Sequence, residues 1–159
     1  MAYSAHGKHR KHYVHLAVMT ALMFAVMYAL MYAMVDRFAN VYSSLNQIYM
    51  AGLMTAPMVL IELAVMRSMY GDRRWNTIIV ASSAVLGIAC WIGIRAQAGI
   101  GNEQFLRSMI PHHAGAILMC EESSASSAEI RKLCTSIVES QQREIAEMRL
   151  MLMDGQPKE

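Results

Sequence analysis

Three long apolar segments occupy most of the first hundred residues of the chain. They run over residues 14–35, 46–66 and 75–95, and few ionisable side chains interrupt them. A helix of about 20 apolar residues is long enough to cross a hydrocarbon core of roughly 30 Å. The pattern therefore predicts three transmembrane helices.

The last third of the chain changes to an amphipathic pattern. Apolar residues recur at three- to four-residue steps over about residues 102–122 and again over 127–153, as on one face of a helix. The polar stretch ESSASS separates the two segments, and Ser126 with Glu129 has the S-x-x-E spacing of a helix-capping pair. We expect two helices that fold back as an antiparallel hairpin.

The predicted fold is all-α and has three parts. A basic, histidine-containing arm covers residues 1–13, a membrane domain covers 14–98, and the helical hairpin covers 99–159. Composition agrees, because 55% hydrophobic and 16% charged residues are too apolar for an ordinary soluble domain. The net charge of +2 is small and its basic residues are scattered in short groups, so the expected partner is a lipid bilayer and not nucleic acid.

Basic residues also predict the orientation in the membrane. They cluster before the first span and in the loop between the second and third spans: Lys8, Arg10, Lys11, Arg67, Arg73 and Arg74. Loops rich in Lys and Arg stay in the cytoplasm. We therefore expect a multi-pass protein of the cytoplasmic membrane with a cytoplasmic N-terminus, and a hairpin on the opposite side, which in a bacterium is the periplasm.

The hairpin carries a candidate metal site. Met109 lies one helical turn before both His112 and His113. If the chain turns near residue 127, His113 lies near Gln141, and Met148 flanks Met109. Thioether sulfur with imidazole suits Cu(I) and the similar Ag(I) better than zinc or magnesium. The alternative is that the histidines are hydrogen-bonded structural residues and the methionines are packing.

Sixteen methionines are far more than a chain of this length normally holds, and many repeat every fourth residue along the spans. The first two spans carry Met19, Met23, Met27, Met31, Met50, Met54 and Met58. These stripes allow a second hypothesis, a transporter or transporter subunit that passes metal along the thioethers. Ordinary helix packing explains the same repeat.

Two stretches of the hairpin sequence resemble a known family. The stretches FLRSMIPHHAGAILMCEE and EIRKLCTSIVESQQREIAEMRLML are similar to the CopM-like domain family, whose pattern is M-x-P-H-H-x-x-A-x-x-M followed by Q-x-x-E-I-x-x-M. The resemblance covers about residues 102–153. It implies a ferritin-like helical bundle outside the cytoplasm that binds copper, with silver as a second metal, in homeostasis or resistance and without catalysis.

The resemblance also implies a set of site residues. The metal ligands by position are Met109, His112, His113, Met119 and Met148, with Gln141 and Glu144 as supporting residues around them. Many family members have four helices, whereas this chain supplies two, so we expect two chains to complete the bundle by dimerising. A copper donor or acceptor protein is a further expected partner. A structural dimerisation module without metal remains a third hypothesis.

Cys120 and Cys134 lie at equal distances from residue 127. The hairpin geometry therefore predicts that the two thiols face each other. They form a disulfide in an oxidising compartment, bind metal, or are two small buried residues; the sequence leaves these alternatives open.

Overall fold

The computed structural model describes the backbone of residues 3–155 and the side chains of residues 11–155. Every regular element in that range is helical, which confirms the predicted all-α class. In chain order the α-helices of the described range are α1 Tyr3–Leu30, α2 Leu45–Val65, α3 Arg73–Ala96, α4 Asn102–Glu121 and α5 Ala128–Met153. Most side chains of the predicted N-terminal arm lie outside the described residues.

The three predicted spans are confirmed as helical segments that are long and apolar enough to cross a membrane. These segments are Lys11–Met34, Leu45–Val65 and Arg73–Ala96. Many of their apolar side chains are exposed, among them Leu22 and Val85. Apolar surface of this extent suits contact with lipid better than contact with water.

The described chain divides into two compact units. The first consists of Met1–Leu30 with Ile48–Ala98, and the second consists of Met31–Gln47 with Gly99–Glu159. The second unit therefore contains Met31–Gln47, which we call the strap, a segment that the predicted domain division had placed with the membrane helices. Short 3-10 turns at Met31–Met34 and Phe38–Asn40 shape the strap.

Small residues allow α2 and α3 to approach closely in the first unit. A Cβ atom on Gly52 would lie 2.7 Å from Sγ of Cys90, and one on Gly93 would lie 3.2 Å from the ring of Tyr49. Larger side chains at these two glycines would separate the helices. Close approach at small residues is the usual packing device of membrane helices.

Near the other end of these helices, polar side chains are mutually satisfied. The Tyr13 hydroxyl donates to Oδ1 of Asn76 at 2.8 Å, and the Tyr70 hydroxyl donates to Oε1 of Glu62 at 3.3 Å. Asp72 caps α3 through hydrogen bonds from the backbone of Arg74 and Trp75. Glu62, the acidic residue of α2, thus has a structural partner.

In the second unit, α4 and α5 pack together around an apolar core. The buried core residues are Leu106, Ile110, Ala114, Ile117, Ile145 and Met148. Val35 and Tyr42 of the strap pack against this cluster. The strap therefore covers part of the apolar face that a bare two-helix hairpin would expose.

Candidate metal site

Helix α4 directs its two adjacent histidines to different surroundings. His113 is buried, with 8% of its surface exposed, whereas His112 is exposed. The two ring centroids lie 6.0 Å apart in an edge-to-face arrangement. Consecutive residues of a helix point about 100° apart, so only one of the pair faces α5.

The imidazole of His113 is held at both nitrogens. Its Nδ1 lies 2.9 Å from the carbonyl oxygen of Met109, and its Nε2 lies 2.7 Å from Oε2 of Glu144 on α5. A carbonyl oxygen only accepts, so Nδ1 carries a proton and donates it. The Glu144 carboxylate thus contacts the ring at the nitrogen opposite the one held by the Met109 carbonyl. Nε2 is the ring atom that could bind a metal ion, and the hydrogen bond at Nδ1 fixes the orientation of the imidazole ring.

Two thioethers belong to the same buried region. Met148 of α5 is 8% exposed, and Met109 packs against the core cluster that contains Met148. Met109 is also the residue whose carbonyl orients His113. Met109 and Met148 thus belong to the buried core of the hairpin, and the buried His113 contacts the Met109 carbonyl and Glu144, whose side chain is 46% exposed.

The other predicted ligands lie elsewhere on α4. Met119 is 56% exposed and His112 is exposed. Six of the seven predicted site residues therefore separate into an inner group, Met109, His113, Met148 and Glu144, and an outer pair, His112 and Met119. Gln141 is half-buried, and the residue that contacts His113 is Glu144, one turn further along α5.

The inner group contains two thioethers, one imidazole and one carboxylate. Within the described residues, no group of three or more His, Cys, Asp or Glu side chains is arranged to hold a metal ion. Sulfur and imidazole together form a soft donor set, which favours Cu(I) over zinc or magnesium.

Cys120 and Cys134 meet across the two helices, as the hairpin register predicts. Both are half-buried free thiols, and they hydrogen-bond to each other. The bond with Cys134, followed by burial, raises the pKa of Cys120 to about 11. The Cys120 sulfur is therefore protonated at neutral pH, and the structure contains both residues as free cysteines and not as a disulfide.

Sequence reasoning missed the strap, which holds the hairpin at several points. The carbonyl oxygen of Met34 lies 3.4 Å from where a Cβ of Gly115 would be. Arg149 donates through Nη2 to the Ala39 carbonyl at 2.8 Å and to Oδ1 of Asn40 at 2.6 Å. One sequence signal could have found the strap, because a loop separated from the tail by two predicted spans is expected on the same side of a membrane as the tail.

Comparison with known proteins adds a family. Residues 94–152 match a family described as a domain of unknown function, DUF305. An uncharacterized protein of Acanthamoeba polyphaga mimivirus, L153, is 36% identical over 110 residues, which cover 68% of this chain and 70% of that protein. The chain belongs to the family of that viral protein and carries a DUF305 domain. No solved structure matches the chain significantly.

The DUF305 match coincides with α4 and nearly all of α5. It therefore includes every residue of the inner and outer groups and both hairpin cysteines. It does not include the strap, although the strap contributes Val35 and Tyr42 to the packing around the hairpin core. The compact unit in this chain is larger than the family's matched segment.

Proposed function

We propose that this protein is a membrane-anchored binder of a soft metal ion, Cu(I) first and Ag(I) second, which sequesters the ion or hands it to another protein. The observation that carries the proposal is the buried His113, whose Nδ1 is held by the Met109 carbonyl. Its Nε2 would then be a ligand atom, and the thioethers of Met109 and Met148, which belong to the core of the same hairpin, would be the others. The role is binding, without a catalytic step.

The metal-free contacts explain how such a site remains stable without its ion. Buried polar groups are costly without partners, and Glu144 supplies one to Nε2 at 2.7 Å. A metal ion at Nε2 would replace the contact with Glu144, whose half-exposed carboxylate can turn toward solvent. The resemblance of the α4 and α5 sequences to the CopM-like family supports copper as the metal.

The proposed placement puts the N-terminus in the cytoplasm and the DUF305 domain on the outer side of the cytoplasmic membrane. The distribution of basic residues supports it. Packing of the strap on α4 and α5 agrees with it as well, since two candidate spans separate the strap from the hairpin. Both segments then emerge on one side.

The transport hypothesis has weaker support. A cavity of about 540 Å³ lies among α1, α2 and α3, and its described lining is formed by Ala, Gly, Leu, Val, Ile, Phe, Ser and Thr side chains, without methionine. The methionines of α2 at positions 50, 54 and 58 are each about 40% exposed. Thioethers that face outward support helix packing in lipid better than a metal path.

A Cu(I) competition titration tests the proposal on the full chain in detergent. We expect Met109→Leu and Met148→Leu to lower Cu(I) affinity by about tenfold or more, because leucine keeps the volume and removes the sulfur. His113→Ala should lower the affinity further. Zinc should compete poorly with Cu(I) at this site.

The matched control is Met151→Leu, the same substitution one turn from Met148 at an exposed position of α5. It should leave Cu(I) affinity unchanged. Met119→Leu tests whether the outer pair contributes to Cu(I) binding. Unchanged affinity in both the Met109 and His113 variants, or a preference for zinc, would contradict the proposed function.

A further inference from the structure

We propose that Cys120 and Cys134 form a second metal site, in which their two sulfur atoms bind one Cu(I) ion as a pair of thiolates. The site lies in the same hairpin as the inner group but uses none of its residues. The identity of the metal rests on the function proposed above. The arrangement of the donors rests on the geometry of the thiol pair.

The two sulfur atoms are already in contact. Cys120 lies in the last turn of α4 and Cys134 in the second turn of α5, and their thiols share a hydrogen bond. Both side chains are half-buried, so they are shielded from bulk solvent but not sealed from an incoming ion. Two donors at hydrogen-bond separation need little movement to bind one ion between them.

The pair is too far from His113 to belong to the inner group. Cys120 follows His113 by seven residues, which at 1.5 Å per residue is a separation of about 10 Å along α4. A metal ion bound by one group is therefore beyond reach of the other group's donor atoms. Each hairpin would then bind two ions independently.

The number of donors selects the metal. Zinc sites in proteins use four ligands, or three and a water molecule, and in the part of the chain described no third His, Cys, Asp or Glu joins the pair. Cu(I) accepts two thiolate ligands in a linear arrangement, and soft thiolates favour it. A two-sulfur site is therefore suited to Cu(I) or Ag(I).

The binding step involves no oxidation or reduction. Each thiol loses its proton to solvent, two sulfur–copper bonds form, and copper remains Cu(I). The bound unit carries one negative charge, from two thiolates and one monovalent cation. Disulfide formation competes, because it removes two electrons and two protons from the same pair, so the reduced chain is the form that binds.

The test uses the full chain in detergent, purified with its thiols reduced and counted before titration with Cu(I). We expect two Cu(I) per chain and an ultraviolet thiolate-to-copper charge-transfer band. Cys120→Ser and Cys134→Ala should each lose the band and one Cu(I) per chain while their helical circular dichroism stays unchanged. Cys90→Ser is the matched control, since Cys90 lies in α3 of the other unit. This variant should keep the charge-transfer band and two Cu(I) per chain.

The inner group and the thiol pair can fail separately. The Met109→Leu variant should bind Cu(I) more weakly at the inner group but keep the thiolate-to-copper band of the cysteine pair. The proposal is overturned if the fully reduced chain shows no thiolate band, or if the band persists in Cys120→Ser. It is also overturned if Cys90→Ser removes the band.

Discussion

Replacing Cys134 by alanine should make Cys120 react faster with an alkylating agent. The hydrogen bond with Cys134, and then burial, raise the pKa of Cys120 from the ordinary 9.0 to about 11. Only the thiolate reacts. The difference, 11 minus 9.0, leaves about 100-fold less thiolate at neutral pH. Alanine at position 134 removes the hydrogen bond and leaves the burial of Cys120, so we expect the alkylation rate of Cys120 to rise by about 10- to 100-fold.

The assay is iodoacetamide labelling of the metal-free chain in detergent between pH 7 and 9, with rates for each cysteine read by peptide mass spectrometry. Cys134→Ser is the matched control, because its hydroxyl keeps a hydrogen-bonding partner, and it should accelerate labelling less than alanine does. Equal labelling rates for Cys120 in the wild type and in Cys134→Ala would refute the inferred thiol contact.

The same pKa shift gives a stability prediction with a definite sign. A raised pKa means that folding favours the protonated thiol of Cys120, so its contribution is fully present below about pH 9 and is lost as the pH rises toward about 11. The melting temperature should therefore fall more between pH 9 and 11 in the wild type than in Cys134→Ala. A larger fall in the alanine variant would reverse the sign and contradict the assignment.

Three further predictions concern the strap, the topology and the association of chains. Arg149→Met should lower the free energy of unfolding by about 1–3 kcal/mol and expose the strap to protease, because it removes two charge-assisted hydrogen bonds to the strap. The same substitution also removes the buried Nε, which has no hydrogen-bonding partner, and this limits the loss. The control Arg143→Met, at an exposed position, should have neither effect. An alkaline phosphatase fused after the last residue should be active, since that enzyme matures outside the cytoplasm, and activity only from a cytoplasm-dependent reporter would reverse the orientation. The chain should be at least a dimer in detergent by mass, more so with Cu(I), because Ile130 and Leu133 remain exposed on α5; a folded monomer under both conditions would exclude the proposed pairing.

Hydrophobic periodicity was sufficient to locate the helices. The segments predicted at 102–122 and 127–153 are α4 Asn102–Glu121 and α5 Ala128–Met153, and the three spans differ from their predicted limits by a few residues. Long periodic segments carry this information because one face must be buried along their whole length. The details at helix ends depend on single hydrogen bonds and were less predictable.

The start of α5 illustrates that limit. The predicted capping pair used Ser126, but the residue before the helix is Ser127, and no side-chain hydrogen bond caps the first turn. Ser126 instead accepts through its carbonyl from the Arg131 guanidinium. A serine-rich turn offers several equivalent capping residues, so the sequence alone could not choose among them.

The partner of His113 illustrates a second limit. Counting from a turn at residue 127 places His113 opposite Gln141, because both are 14 residues away, whereas Glu144 is 17 away, from 144 minus 127. The counting rule aligns backbone positions. Gln141 and Glu144 share a face one turn apart, and a carboxylate forms the stronger hydrogen bond with imidazole, so Glu144 makes the contact. The same rule succeeded for Cys120 and Cys134 because their short side chains reach only a directly opposite partner.

The strap extends the structural unit that contains the candidate metal site beyond the hairpin of α4 and α5. A bare two-helix hairpin buries too little apolar area to be stable alone, and sequence reasoning therefore required a second chain to cover it. In this chain Val35 and Tyr42 cover part of that face, Arg149 holds the strap's backbone, and the backbone of Leu45 donates to Oε1 of Gln104 at 2.9 Å. The segment between the first two candidate spans thus completes the core of the domain that follows the third. Removing the spans to study the DUF305 domain alone would remove this segment as well, so metal binding and association are properties to measure on the whole chain.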